Sequence, residues 1–171
     1  MPSSISNDGY KSKNQLMIDV FMSKMRSDTQ HVPPIPLMPS LEVRKLRARL
    51  MLEECLETIN AGLGLNVNFN LGGHEVTNVK MELLQFTDNG PGDLIQVADG
   101  CADVEVVTTG TASACGIALQ PCFDIVMPNN LMKFAPGHTW REDGKLVKPP
   151  NHPDIALELK CELIRQGWRP K

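Results

Sequence analysis

The stretch that decides the fold is residues 43–57, VRKLRARLMLEECLE. Its basic and apolar first part is followed by three carboxylates, Glu53, Glu54 and Glu57. Positions three and four residues apart lie on the same side of a helix, so these acids project from one face. Like charges at these spacings repel each other, and acids on an otherwise apolar helix need a compensating charge. The pattern therefore predicts a largely buried helix whose carboxylates are neutralised by another group.

A second acidic helix is predicted further along the chain, from about residue 94 to residue 115. It carries Asp99 and Asp103 within an otherwise small and apolar stretch that ends at Gly116. The two aspartates are four residues apart and share one helix face. This helix, too, is expected to be largely buried. A divalent hard cation with oxygen ligands would neutralise both carboxylate clusters.

The composition is that of an ordinary globular protein, with 42% hydrophobic and 22% charged residues in a chain of 171 residues. A single domain over residues 1–171 is expected from this length. The formal net charge of -3 argues against a general nucleic-acid coat protein, and the 5% aromatic content argues against a platform for stacked bases. No nucleic-acid partner is therefore expected.

The cysteines and the N-terminal segment indicate the compartment. None of the five cysteines stands in a Cys-x-x-Cys pair, which predicts buried free thiols and no zinc site. The first 15 residues contain no apolar signal core, and no apolar run reaches membrane-spanning length. These features predict a cytoplasmic protein with no membrane partner.

Hydrophobic periodicity predicts an all-α protein, an antiparallel bundle of four to five helices with a small inserted β-hairpin. Strict alternation in residues 66–71, followed by Gly72-Gly73 and a moderately β-prone stretch from Val76 to Phe86, predicts a short hairpin in an insert that covers residues 65–87. The fourth helix is expected to be interrupted near Pro128. Residues 1–12 are expected to be flexible. The predicted helices cover residues 14–25, 41–61, 94–115 and 121–134, and a C-terminal loop and helix occupy residues 135–171, with the helix opened by Pro153. Ser40 and Asp93 are the predicted N-caps of the second and third helices.

Four motifs occur in order along the chain. The first is Arg-x-x-x-x-x-Glu-Glu-x-x-Glu, from Arg47 to Glu57, and the second is Asp-x-x-x-Asp at 99–103, followed by VTTGTA at 107–112. NNLMKF at 129–134 is similar to an Asn-x-x-Lys stretch, and GKLVKPP at 144–150 to a Gly-Lys-x-x-Lys-Pro segment. Over residues 14–165 this set resembles the all-α nucleoside triphosphate pyrophosphatases. These are the MazG-like and phosphoribosyl-ATP pyrophosphohydrolase-like proteins, here especially their phage-type branch.

The resemblance implies hydrolysis of a nucleoside triphosphate to the monophosphate and pyrophosphate, with Mg²⁺ as cofactor and Mn²⁺ as a substitute. An acidic site binds a triphosphate only through bridging cations, and Mg²⁺ combines a few carboxylates with phosphate oxygens. The resemblance also implies that Glu53 orients or deprotonates the attacking water, and that the protein is a homodimer or homotetramer. The implied metal ligands are Glu54, Glu57, Asp99 and Asp103, and the implied substrate-binding residues are Asn130, Lys133 and Lys148.

One departure and several alternatives stay open from the sequence. Many relatives carry Glu-x-x-Asp on the second acidic helix, whereas Gly100 occupies the glutamate position here and Asp99 supplies a carboxylate instead. The alternative function is a non-enzymatic metal-binding or interaction helical bundle. A ferritin-like di-iron bundle would need Glu-x-x-His pairs, which this sequence lacks. The base and sugar preference, the number of metal ions and the choice between nucleotide-pool cleansing, dUTP or dCTP control and phosphoribosyl-ATP hydrolysis are open.

Overall fold

The structure is a computed structural model that describes residues 11–25, 32, 33, 35–79, 81, 84–141 and 145–170. The chain divides into two compact units. Residues 39–92 form the inserted unit, and the segments before and after it form the flanking unit. The expected flexible segment 1–12 falls, except for residues 11 and 12, outside the described residues. The single domain over residues 1–171 stays a prediction.

The chain is mostly helical, and the predicted all-α class with a small hairpin is confirmed. No helix in the described part of the chain is long and apolar enough to cross a membrane. Within the described ranges, five α-helices and two short antiparallel strand pairs occur. Their order is α1 (Lys13–Ser23), α2 (Leu41–Glu57), β1 (Phe69–Leu71), β2 (His74–Val76), α3 (Leu94–Ala114), α4 (Leu119–Met132), β3 (Thr139–Trp140), β4 (Leu146–Val147) and α5 (Ala156–Arg165).

Helix α4 is the element against which the flanking unit packs, because it contacts α1, α3 and α5. Met127 of α4 is buried, and the rings of Phe21 and Phe134 lie 5.3 Å apart between their centroids. The side chains of Asn14 in α1 and Gln120 in α4 exchange hydrogen bonds of 3.1 Å. The Asn14–Gln120 pair holds the N-terminal end of α4, and the Phe21–Phe134 contact holds the C-terminal end, where Asn130 and Lys133 lie.

The predicted interruption of the fourth helix is wrong, because α4 runs without a break from Leu119 to Met132. Pro128 lies inside it. A proline ring holds φ near the helical value and removes one N–H donor, here the donor that would bond to the Asp124 carbonyl. In a helix packed against three others, that single loss is local and does not end the helix.

The inserted unit consists of α2, a widened helical turn and the hairpin. The Ser40 hydroxyl accepts a hydrogen bond from the Val43 N–H at 3.4 Å, so α2 begins where the sequence predicts a cap. In the hairpin, Phe69 pairs with Val76. Gly72 and Gly73 have φ values of 58° and 92°, as a two-residue hairpin turn requires.

The predicted second strand, from Val76 to Phe86, is wrong, because β2 covers His74–Val76 and ends where the prediction begins. The reason lies two residues later, where Asn78 adopts a φ of 52°. Its N–H bonds to the Asn68 side chain at 2.9 Å instead of joining the ladder. Beyond this break, the Val79 N–H donates to the Val67 carbonyl at 2.7 Å, and Val79 is the most deeply buried apolar residue of this unit's described part.

The C-terminal region contains a strand pair that the sequence did not predict. In the expected loop 135–150, Trp140 pairs with Leu146 across β3 and β4, and Leu146 is buried. Helix α5 begins at Ala156, three residues after Pro153. The Asp154 carboxylate accepts from the Ala156 N–H at 2.9 Å, which satisfies one donor of its first turn.

Two expectations about burial are wrong. The cysteines are exposed or, at Cys122, half-buried, and all five are free thiols. Every residue of α3 from Leu94 to Gly110 is exposed, although α2 does bury part of its surface. Apolar residues occur all round α3 rather than in one stripe, so its contact with α4 covers only a small part of them.

Candidate functional site

The first acidic cluster lies on the last two turns of α2. Leu46 and Leu56 are buried, with 5% and 7% of their surface exposed, and mark the packed face of the helix. Glu53 follows Leu46 by seven residues, which turns it only about 20° from that leucine, and it is half-buried. Glu54 and Glu57 are exposed beside it. The helix thus holds one carboxylate against packed side chains and presents two others outward.

Helix α2 continues into a π-helical turn, Thr58–Gly62. The Thr58 hydroxyl donates to the backbone carbonyl of Glu54 at 2.8 Å, and the Leu63 N–H reaches back to the Thr58 carbonyl at 2.9 Å. Such turns are rare and occur frequently at functional sites. Sequence reasoning missed Asn60 in this turn. Its side-chain oxygen is buried and accepts no hydrogen bond from any described residue.

The donors near the end of α2 suit a hard cation in kind. Carboxylate oxygens of Glu54 and Glu57 and the amide oxygen of Asn60 are the ligand types that Mg²⁺ and Ca²⁺ take. Within neither unit, however, do the described residues bring three or more His, Cys, Asp or Glu side chains together as a metal site. The ligands implied by the resemblance come from both units, so the metal centre stays a prediction.

The second acidic cluster belongs to the flanking unit. The Asp93 carboxylate accepts from the Ile95 N–H at 2.8 Å and caps α3 at the predicted residue. Asp99 and Asp103 follow on one face of the helix, and both are exposed. Ile95 and Val107 lie on that same face at four-residue spacing, with 76% and 67% of their surfaces exposed. The carboxylates therefore stand within an uncovered apolar surface.

A polar cluster in the flanking unit joins the end of α4 to the segment that precedes α5. The Asn129 side-chain amide donates to the Pro153 carbonyl at 3.0 Å, and its oxygen lies 2.8 Å from His152 Nε2. Because the Pro153 carbonyl can only accept, this bond fixes the orientation of the amide. His152 Nε2 must therefore be the donor to Asn129, and it carries the ring proton.

The surroundings of His152 favour the neutral ring. Burial lowers the pKa of His152 below its ordinary value of 6.5, and the positive charges of Lys133 and Lys148 lower it further. With the proton on Nε2, Nδ1 is an acceptor, and it is buried without a hydrogen-bond partner among the described residues. A cavity of about 130 Å³ adjoins the ring.

The charges of two of the three predicted substrate-binding residues, Lys133 and Lys148, thus act on one histidine. Asn130, the third, is half-buried in the last turn of α4, where its backbone carbonyl accepts from the Lys133 N–H at 3.1 Å. Sequence reasoning missed Asn129 and His152. Asn129 stood inside a recognised motif, but nothing in the local pattern around His152 indicates that it meets α4.

Comparisons with known proteins identify the family and the fold. The sequence profile of the phosphoribosyl-ATP pyrophosphohydrolase family matches residues 18–130, a span that includes both acidic helices. A solved structure from Exiguobacterium sp. 255-15, provisionally described as an NTP pyrophosphohydrolase, shares the fold with a TM-score of 0.53 at 22% identity, over 92% of this chain and 97% of that one. None of the curated proteins compared matches the chain. The chain therefore belongs to the phosphoribosyl-ATP pyrophosphohydrolase family.

Proposed function

We propose that this protein is a magnesium-dependent pyrophosphohydrolase. It cleaves a nucleoside triphosphate between the α- and β-phosphates and releases the monophosphate and pyrophosphate. The observation that carries the proposal is the family match over residues 18–130, which contains both carboxylate helices in the expected order. Lys133 and Lys148, whose charges act on His152, lie outside this match and add the positive charge that a polyphosphate requires.

The carboxylates of α2 and α3 would hold the metal. Glu54, Glu57, Asp99 and Asp103 are the ligands, and Asn60 offers a neutral oxygen one turn beyond Glu57. When bound, Mg²⁺ polarises the phosphoryl group and neutralises the charge that develops on the leaving pyrophosphate.

The remaining roles fall to residues that do not bind metal. Glu53, held against the packed face of α2, orients the attacking water and accepts its proton. Lys133 and Lys148 bind phosphate oxygens that the metal leaves free, and Asn130 contributes a polar contact to the phosphate or sugar. House-cleaning of non-standard nucleotides is a role that fits this chemistry.

The direct test is pyrophosphate release from a panel of canonical and modified nucleoside triphosphates, with Mg²⁺ or Mn²⁺. We expect monophosphate and pyrophosphate in equal amounts from at least one nucleotide. A Glu53→Gln protein purified in the same way controls for contaminating phosphatases and should be inactive. Release of a diphosphate and orthophosphate would show cleavage at another bond, and background turnover across the whole panel would leave the non-enzymatic bundle as the better interpretation.

The exposed surface of α3 favours self-association, and a homodimer or homotetramer is part of the proposal. Ile95, Val106 and Val107 each expose two thirds or more of their surface. Contiguous exposed apolar surface in a soluble chain usually marks an interface. A second copy is the proposed partner, because a closed two-fold contact covers the same helix on both chains.

A further inference from the structure

We propose that Asn129 and His152 are positioning residues, which hold the segment before α5 against the end of α4 so that Lys133 and Lys148 grip one polyphosphate together. The identity of that anion as the substrate's phosphate chain rests on the proposed function. The attachment of this segment to α4 through Asn129 does not, because it is a property of the flanking unit alone.

The first argument is the attachment of the segment that carries Lys148. Asn129 binds the end of this segment that is remote from Lys148, through hydrogen bonds of 3.0 Å to Pro153 and 2.8 Å to His152. Nearer Lys148, the loop after α4 packs on the proline pair that follows this lysine. A Cβ added at Gly137 would lie 3.7 Å from both Pro149 and Pro150. The segment that follows Lys148 is therefore attached at two places, once to α4 and once to the loop after it.

The second argument is the charge of the cluster. Lys133 lies at the end of α4 and Lys148 in the attached segment, and the charges of both act on the His152 ring. Two cations held near each other repel, and an anion placed between them relieves that repulsion. The bond from Nε2 to Asn129 works with an uncharged ring, so His152 joins the two segments without adding a third positive charge.

The third argument is the unpaired acceptor. His152 Nδ1 is buried and has no hydrogen-bond partner among the described residues. A buried unsatisfied polar atom is costly in a purely structural contact, and such atoms in native proteins call for an explanation. The adjoining cavity, lined among others by Met132, Pro149 and His152, leaves space beside the cluster for a water or a ligand hydroxyl.

The test uses the full chain with Mg²⁺ and tripolyphosphate as the probe, and measures the dissociation constant by calorimetry. Asn129→Ala should weaken binding about tenfold, the size of effect expected when one charge-assisted phosphate contact is lost. His152→Gln keeps a donor at the ε position and should bind within about twofold of the parent. His74→Gln is the matched control and should change nothing, because His74 is an exposed residue of β2, outside the flanking unit.

The decisive measurement is a double-mutant cycle. In a Lys148→Ala background, Asn129→Ala should cause no further loss, because there is no lysine left to position. If the two losses multiply, the asparagine acts through general stability and the proposal is wrong. Should Asn129→Ala fail to fold by circular dichroism, His152→Ala breaks the same link from the other side, and the cycle is repeated with it.

The outcomes separate this proposal from the proposed function. Coupled loss of tripolyphosphate binding without any nucleotide hydrolysis would support the positioning pair and overturn the enzyme. Normal nucleotide hydrolysis by the parent, together with unchanged tripolyphosphate binding by Asn129→Ala, would support the enzyme and overturn the positioning pair. A parent protein that binds no tripolyphosphate at all contradicts the gripping lysines directly.

Discussion

The two acidic helices carry similar carboxylate patterns but have different surroundings. In α2, Leu46 and Leu56 are buried, and Glu53 lies against that packed face. In α3, every residue from Leu94 to Gly110 is exposed, and the two aspartates lie beside uncovered valine and isoleucine side chains. The spacing of residues thus determines which of them share a helix face, whereas the side chains packed on that face determine whether the carboxylates are buried or exposed.

This difference has a physical consequence for the two helices. Glu53 is half-buried at the packed face of α2, which is the kind of support that the proposed water-orienting role requires. The aspartates of α3 have no such support within the single chain as described, and only a ligand or another surface would fix them. The comparison predicts that α3 depends on binding partners more strongly than α2 does.

Removal of divalent metal should have the largest effect on activity. With EDTA present, the carboxylates of both helices repel a triphosphate, so pyrophosphate release should fall to background. Excess Mg²⁺ or Mn²⁺ should restore it. Zn²⁺ added at a matched concentration is the control. It should restore less activity than Mg²⁺ or Mn²⁺, because carboxylate oxygens are the ligands that these harder cations prefer. Undiminished turnover in chelator would show that neither helix acts through a cation.

Loss of one carboxylate from either helix should have the next largest effect. Glu54→Gln and Asp103→Asn should each lower kcat/KM by about 100-fold or more, since a metal contact is worth several kcal/mol to the transition state. Helical circular dichroism should be unchanged, because a like charge is removed from a crowded face. The matched controls are Glu42→Gln, in the first turn of α2, and Glu105→Gln, about 200° round α3 from Asp103. A large loss of activity from substitutions in one helix only would contradict a metal site built from both helices.

Disruption of the exposed surface of α3 should change the assembly. Val97 and Val104 lie seven residues apart on one side of the helix and are 49% and 40% exposed. Val104→Lys should shift light scattering from the oligomer towards the mass of one chain, because a lysine is costly in an apolar contact. Val20→Lys, at a valine of α1 that is 51% exposed, should leave the mass unchanged. A parent protein that is already a monomer would contradict self-association.

The smallest expected effect is a pH dependence of stability in the flanking unit. The pKa of His152 is lowered in the folded chain, first by burial and then by Lys133 and Lys148. As the pH falls below about 6.5, the unfolded chain binds a proton at this ring before the folded chain does. The free energy of unfolding therefore decreases from that pH down to the pKa of His152 in the folded chain. The melting temperature of the parent should decrease more than that of His152→Gln between pH 7.5 and 5.5. Parallel curves would show that this ring does not titrate on unfolding.

Local signals were the part of the fold that the sequence predicted well. Ser40 and Asp93 cap α2 and α3 at the expected residues, and the glycine pair turns the hairpin. These features depend on side-chain and backbone chemistry within a few residues, which a sequence states directly. Pro128 misled the prediction because its effect depends on the helices packed around α4.

The candidate site was predictable only in part, for the same reason. The shared face of Glu53 and Glu57 follows from helical geometry. The meeting of Asn129 with His152 joins residues 23 positions apart through an unpredicted strand pair, and no periodicity records it. The exposure of α3 was also missed. An apolar composition indicates that a helix surface should be buried, but it does not indicate which other surface buries it.

The π-helical turn Thr58–Gly62 gives the chain a local tolerance for changes in length. A π turn contains one residue more than the α-helical turn it replaces, so shortening the chain there by one residue yields an ordinary helix. A deletion elsewhere in α2 would turn every later side chain by about 100° and move the acids off their face. Homologous chains of different lengths should therefore place their gaps after Glu57, and the carboxylates should keep their spacing while the hairpin changes in size.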